Sequence, residues 1–181
     1  MKAVDVAGYM VFLASDLFGD MTNMKFNKLL YYLQGQSLLV RGTVAFDDDI
    51  EAWDHGPVVN SVYAKYVLNG NKPILASGDF DAAEMDEEDR DFIRQVLMKY
   101  GLYSAGELRE MTHRQGTPWR RRYKEGQKHT LIPVEVISDY FKSNEQAAEP
   151  FNPSFSEDDF VGYRDEDGVL VLPRELDDEA A

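Results

Sequence analysis

The chain has 181 residues and contains no cysteine. This absence excludes disulfide bonds, thiolate nucleophiles and thiolate metal ligands together, and it favours a reducing compartment such as the cytoplasm. Histidine is also scarce, because His55, His113 and His129 are the only three and none pairs with another at helical ligand spacing. We therefore expect neither a metal ion nor another cofactor.

Long apolar runs are missing as well. A membrane-spanning helix needs about 20 consecutive apolar residues, and the best candidate, residues 1–20, is interrupted by Asp5 and Asp16. The apolar residues in this stretch follow helical spacing, which predicts the first helix of the fold rather than a signal peptide. No membrane partner is expected.

Positive charge is in short supply, with 19 Lys and Arg against 33 Asp and Glu and a net charge of −14. Residues 143–181 contain twelve of these acids and only Arg164 and Arg174 as bases. Such charge repels nucleic acid and attracts a basic protein partner. The alternative is a solvated tail that only keeps the protein in solution.

The hydrophobic spacing predicts a mainly α (α+β) fold, a compact multi-helix domain with a small β element. Capping residues are expected at Thr22, Asp86 and the pair Ser104 and Glu107. Gly56-Pro57 should turn the chain into a helix, because proline is well tolerated at a first helical position. The predicted helices cover residues 4–17, 23–40, 58–68, 87–100, 105–113, 119–123 and about 134–141.

The β element is predicted from two regions. Residues 50–53 alternate as a short strand does, and Ile74-Leu75 could form another. Two apolar runs flank Asp165 to Gly168 and indicate a hairpin at residues 160–173. We therefore divide the chain into a domain at residues 1–142 and an acidic extension at residues 143–181.

Glu51, Asp54 and His55 could be the acid, base and orienting group of an active site. However, no nucleophile motif, phosphate loop or metal pattern accompanies them. Asp54 and His55 are also adjacent, so on an extended strand their side chains would point to opposite faces. We interpret this segment as architectural and predict no catalytic residue. His113 is expected to be half-buried near Trp119, with contact to a partner as the alternative.

A basic run, Arg120 to Arg122, lies in a short predicted helix and invites comparison with a helix-turn-helix. The negative charge of the whole chain opposes nucleic-acid binding. In the alternatives, these arginines either form ion pairs with the chain's own acidic tail or contact a protein partner. The two terminal alanines resemble the end of tags that the Clp unfoldase recognises, although small residues at a frayed end are common.

Five sequence blocks, in the right order, resemble the Panacea domain of bacteria and phages. The first is KLLYYLQG at residues 28–35, followed by IEAW at 50–53 and GPVV at 56–59 with Val62-Tyr63. The second half agrees through Ser104 to Trp119 and then through residues 132–141. The resemblance covers roughly residues 5–142, and the acidic extension lies outside it.

This resemblance implies an antitoxin that neutralises a toxin encoded beside it by direct protein contact, and it implies no enzymatic activity. Two alternatives remain open: an adaptor that delivers the toxin to a Clp-type protease, and a DNA-binding regulator of its own operon. In this mechanism the antitoxin covers the surface of the toxin, and aromatic side chains of the antitoxin are expected to bury against it. The predicted contacts are Tyr32, Trp53, His55, Tyr63, Trp119, Tyr163 and Val169, with Arg120, Arg121 and Arg122 as a possible basic patch.

Overall fold

A computed structural model of the chain describes residues 1–17, 21–76, 85–127 and 129–143, together with the backbone of residues 163–164 and 170–171. The chain divides into two compact units, residues 1–149 and residues 150–181. Within the described residues, the first unit contains seven α-helices and a three-stranded antiparallel sheet. The predicted mainly α fold with a small β element is confirmed.

The elements follow one another as α1, α2, β1, β2, α3, α4, α5, α6, β3 and α7. The predicted bounds of α2, β1, α4 and α5 are confirmed, and the other helices differ from their predicted bounds. The helices are α1 (Ala3–Leu17), α2 (Asn23–Val40), α3 (Asn60–Tyr66) with a 3₁₀ turn (Val67–Asn69), α4 (Glu87–Tyr100), α5 (Ala105–His113), α6 (Pro118–Arg122) and α7 (Val134–Ser143). The strands are β1 (Ile50–Trp53), β2 (Gly56–Val59) and β3 (Thr130–Leu131).

Helix α2 is the centre of the first unit. It packs against α4, α5, α7 and β2, and 15 of its 18 residues are buried. Because neighbours surround the helix, polar side chains such as Lys25, Lys28 and Gln34 are buried with the apolar ones. Gly35 leaves room for the Phe141 ring of α7, which occupies the space that a side chain would need. The position of α2 therefore determines where the other elements pack.

Two of the predicted helix caps are confirmed. The Thr22 side chain accepts a hydrogen bond from Lys25 N, and Ser104 and Glu107 form a reciprocal capping box at the start of α5. Asp86 precedes α4 as predicted, but its side chain makes no capping hydrogen bond. The start of α4 therefore depends on helix propensity and packing rather than on that cap.

The prediction that Gly56-Pro57 starts a helix is wrong. Gly56 to Val59 form β2, which pairs antiparallel with β1 in the register Ile50↔Val59 to Trp53↔Gly56. Gly56 has a φ of +108°, which glycine adopts readily and which a tight hairpin requires. Pro57 is tolerated because β2 lies at the edge of the sheet, whose order is β2-β1-β3. The helix begins at Asn60 instead.

Strand β3 was not predicted from the sequence. It has two residues and pairs with β1 through Glu51↔Leu131 and Ala52↔Thr130. A two-residue strand has no measurable period, so only pairing with β1 reveals it. Conversely, Ile74-Leu75 forms no strand, although Ile74 N donates a hydrogen bond of 2.8 Å to Met21 O.

In the second unit, β4 (Tyr163–Arg164) and β5 (Leu170–Val171) pair antiparallel, with Tyr163 opposite Val171 and Arg164 opposite Leu170. This pairing agrees with the hairpin predicted at residues 160–173. The turn between the strands, with Val169, lies outside the described residues.

Across the described segments, no helix is both long enough and apolar enough to cross a membrane.

Candidate functional site

A pocket of about 670 Å³ lies between the first half of α2, the β1–β2 turn and α3. This volume is within the range of small-molecule sites, roughly 300–1,000 Å³. We call it the Lys28 pocket. Its apolar wall consists of Met24, Trp53, Val58, Tyr63 and Val67, and its other lining residues are Asn23, Asn27, Lys28, Asp54, His55, Gly70, Gln127 and His129.

One wall of the pocket is an aromatic corner held by Glu51. The Trp53 ring meets Tyr63 edge-on, with the centroids 4.8 Å apart, and meets His129 at 5.9 Å. Trp53 Nε1 donates a 2.6 Å hydrogen bond to Glu51 Oε2, and His129 Nδ1 lies 2.8 Å from the same oxygen. Glu51 is only 8% exposed. It therefore orients the two rings, and it is not a free base.

The mouth of the pocket contains the two-residue turn Asp54-His55, which joins β1 to β2. Tyr123, at the end of α6, donates its hydroxyl to Asp54 Oδ1 at 3.0 Å. Trp119 Nε1 donates to Trp53 O at 2.8 Å. Two side chains from α6 and its end thus bind this region, one at the carboxylate of Asp54 and one at the backbone carbonyl of Trp53. These contacts fix the aromatic corner against the body of the protein.

His113, the last residue of α5, packs on the Trp119 ring with a centroid distance of 3.6 Å. Its Nδ1 lies 2.6 Å from Arg109 O, and its Nε2 lies 3.3 Å from Asp54 O. Burial lowers the pKa of His113, and this favours the neutral imidazole. The predicted half-buried histidine beside Trp119 is confirmed.

Lys28 is the chemically unusual group of the pocket. Its side chain is 1% exposed, and its Nζ donates a 2.9 Å hydrogen bond to Pro57 O. Burial, and then the positive charge of Arg109, lower the pKa of Lys28 to about 7. The terminal atoms of Lys28 lie beneath Gly56, whose lack of a side chain leaves them space. At neutral pH this amine is therefore only partly charged.

The floor of the pocket is also fixed by Asn27. Its Oδ1 accepts a 2.8 Å hydrogen bond from Val59 N, and its Nδ2 donates to the backbone and side-chain oxygens of Asn23. Asn23 Nδ2 in turn donates to Tyr63 O at 3.1 Å. These buried amides connect α2 to β2 and α3. They hold the two sides of the pocket at a constant separation.

The three residues considered as an active site are not connected to one another among the described residues. Within the described part of the chain, no hydrogen bond joins His55 to Glu51 or to Asp54. Glu51 is occupied by Trp53 and His129, and Asp54 accepts from Tyr123. Asp54 and His55 form the exposed turn that follows β1. The architectural interpretation of this segment agrees with the geometry.

Three of the predicted contact residues, Trp53, His55 and Tyr63, come together at the Lys28 pocket. Tyr32 and Trp119 do not lie on the surface. Tyr32 is 7% exposed and stacks on Tyr100 at 4.4 Å, and Trp119 is 2% exposed. Both rings are part of the core, so the expectation that they touch a partner is not supported by their positions.

The possible basic patch, Arg120 to Arg122, is exposed on α6, which has five residues. Arg122 Nε donates to Leu131 O at 3.1 Å, so this arginine also ties α6 to β3. The side chain of Tyr163 and the whole of Val169 lie outside the described residues.

Sequence reasoning missed Lys28 and His129 as pocket residues. Lys28 belongs to a block that carries the family resemblance, but a lysine in a helix is normally assigned to the surface. Only the surrounding elements reveal its burial. His129 is separated from Glu51 by 78 positions, so no local pattern could pair them.

The described geometry can be compared with known proteins. Residues 26–120, more than half of the chain, match the family described as "Antitoxin SocA-like, Panacea domain". The protein named Antitoxin SocA from Caulobacter vibrioides (strain NA1000 / CB15N) is 31% identical over 124 residues, which are 63% of this chain and 66% of that protein. No solved structure matches the chain. The family match extends from α2 to α6 and includes Lys28, the β1–β2 hairpin and α3, and the chain therefore belongs to the Panacea-domain family of SocA-like antitoxins.

Proposed function

We propose that this protein is an antitoxin that neutralises a cognate toxin by direct protein–protein contact. Membership of the SocA-like antitoxin family carries this proposal. In this proposal residues 1–142 form the shared domain and residues 143–181 an acidic extension outside it. The toxin is expected to be encoded next to the antitoxin, and binding occludes the toxin surface in a stoichiometric complex.

The surface around the pocket mouth supports the proposed contact. Trp53 and Tyr63 present half-buried aromatic edges there, and His55 is exposed on the turn beside them. The neighbouring Leu68 is 98% exposed and Val67 is 43% exposed. Aromatic residues held on a rigid base, next to exposed apolar side chains, are typical of interface hot spots. The net charge of −14 would accelerate encounter with a basic toxin.

The function is tested by growth rescue. We expect the adjacent toxin gene to arrest growth when expressed alone, and the full-length protein to restore growth and to co-purify with the toxin. A version ending at Ser143 shows whether the extension is part of the interface. Failure of the full chain to restore growth or to bind would overturn direct neutralisation. A fall in toxin level with loss of protection in a Clp-deficient strain would assign the adaptor mechanism instead.

The contact surface is tested by Tyr63→Ala. Removing this ring should weaken toxin affinity by roughly 2 kcal/mol, or about 30-fold, because it deletes an aromatic anchor at the surface. Isothermal titration with purified toxin measures the change.

The matched control for this variant is Tyr103→Ala, which removes a tyrosine 41% exposed at the turn between α4 and α5. It should leave affinity within about twofold of the parent protein. Equal losses in the two variants would place the interface elsewhere.

A further inference from the structure

The Lys28 pocket has the composition of a ligand site. Its walls are mostly apolar, and a few polar groups converge on it from α2, the β1–β2 turn and the segment before β3. Buried amide hydrogen bonds from Asn27 and Asn23 connect its two sides. A preformed apolar cavity with few polar groups is the usual form of a small-molecule site.

The carboxylates of Glu51 and Asp54 are engaged by donors other than Lys28. Glu51 accepts from Trp53 Nε1 and lies 2.8 Å from His129 Nδ1, and Asp54 accepts from the Tyr123 hydroxyl. In the part of the chain that the structure describes, neither carboxylate is paired with Lys28. Neither carboxylate therefore supplies a direct counter-charge to Lys28.

Lys28 is the group that lacks a counter-charge. Among the described residues its ammonium donates to one acceptor, the neutral carbonyl of Pro57. A charged lysine has three N–H donors, so two remain when it is protonated. A buried cation without an anionic partner is unfavourable, and the nearby Arg109 makes it more so. An anion placed in the pocket would supply the missing partner.

We propose that the Lys28 pocket binds a small organic anion in which a carboxylate is attached to an apolar or aromatic body. The carboxylate pairs with the Lys28 ammonium, and the apolar body packs against Trp53, Tyr63 and Val58. The inference goes beyond the antitoxin function. It is tested with this chain alone, so the presence or absence of toxin binding has no bearing on the result.

The test uses phenylacetate as the probe and full-length protein in isothermal titration at pH 7. We expect saturable binding with a Kd on the order of 1 mM or tighter. The neutral phenylacetamide and the cationic phenethylamine have the same aromatic body, and each should bind at least about tenfold more weakly. Absence of saturation by phenylacetate at about 10 mM would overturn the proposal.

Lys28→Met keeps the aliphatic stem and removes the charge, and it should weaken phenylacetate binding at least about tenfold. Lys25→Met removes another buried lysine of α2 that is not among the pocket-lining residues, and it should leave binding unchanged. If Lys28→Met retains the parent affinity, the assignment of Lys28 as the anion partner is wrong.

The pH profile of the unmutated protein tests the same contact without a substitution. Among the described residues, the charged and titratable groups around Lys28 are Arg109 and His113 on α5, Asp54 and His55 in the turn, Glu51 on β1, Tyr63 on α3 and His129 before β3. The range above about pH 7.5 lies beyond the ordinary titration range of imidazoles and carboxylates and below that of guanidinium groups, so a change in affinity there reports on Lys28.

The free pocket loses its lysine proton as pH rises above about 7, whereas a bound carboxylate retains it. Phenylacetate affinity should therefore fall by about tenfold per pH unit between about pH 7.5 and 9.5. A constant affinity across this range would overturn the role of the Lys28 ammonium, even if Lys28→Met fails to fold.

Discussion

Replacing Gly35 with alanine should lower the free energy of unfolding by about 3 kcal/mol, which is roughly 10 °C in Tm for a chain of this size. Gly35 lies in α2, where an added Cβ would overlap three atoms of the Phe141 ring. Phe141 is fully buried and meets Tyr31 edge-on at 5.8 Å, so the ring cannot move without disturbing the core. The overlap outweighs the gain of about 1 kcal/mol in helix propensity that alanine provides.

Gly106→Ala is the matched control, because Gly106 also lies inside a helix, α5. The nearest atom to a Cβ at that position is Ser104 Oγ at 3.9 Å, which is ordinary contact. Gly106→Ala should leave the free energy of unfolding unchanged or raise it by up to about 1 kcal/mol. Urea denaturation measures both changes. Similar stability of the two variants would show that α7 does not pack closely on α2 at this point.

Gly56→Ala should have a comparable effect and lower the free energy of unfolding by about 3 kcal/mol. Gly56 adopts a φ of +108°, and an added Cβ would lie 2.6 Å from Lys28 Cε and 2.9 Å from Thr112 Oγ1. Both the backbone strain and the steric overlap oppose the substitution. Because Lys28 must shift, the hydrogen bond from its Nζ to Pro57 O should also weaken.

Gly116→Ala separates these two causes. Gly116 has a φ of +82°, and no atom of the described residues lies within 4 Å of the position that an added Cβ would occupy. Gly116→Ala should lower the free energy of unfolding by about 1–2 kcal/mol through backbone strain alone. A larger loss for Gly56→Ala than for Gly116→Ala in urea denaturation would show that steric overlap adds to backbone strain at Gly56. Equal losses would mean that Lys28 is not packed under the β1–β2 turn.

Local signals were sufficient for the long helices. The bounds of α2 and α4 follow from apolar spacing and from the residues that start and stop them, such as Thr22 before α2 and Gly101 after α4. The capping box at Ser104 was predicted for the same reason, since its hydrogen bonds join residues three positions apart. Interactions of this range are encoded in the sequence itself.

Local signals failed where pairing partners are distant. Gly56-Pro57 fits a helix start and an edge strand equally well, and the choice depends on β1 pairing beside it. Two residues at Thr130 and Leu131 become a strand only because β1 has a free edge. Tyr32 and Trp119 were predicted at a partner surface, yet both rings are buried in the core, with Tyr32 stacked on Tyr100 of α4.

The sequence by itself determined the helical class, the acidic charge, the absence of cysteine chemistry and the family, because each depends on composition, local periodicity or ordered motifs. Tertiary structure decided the site. Helix α2 is enclosed by α4, α5, α7 and β2, and this enclosure buries Lys28 and lowers its pKa to about 7. Chain folding also brings Glu51 to His129 across 78 positions. Burial and long-range contact are properties of packed elements, and no short stretch of sequence contains them.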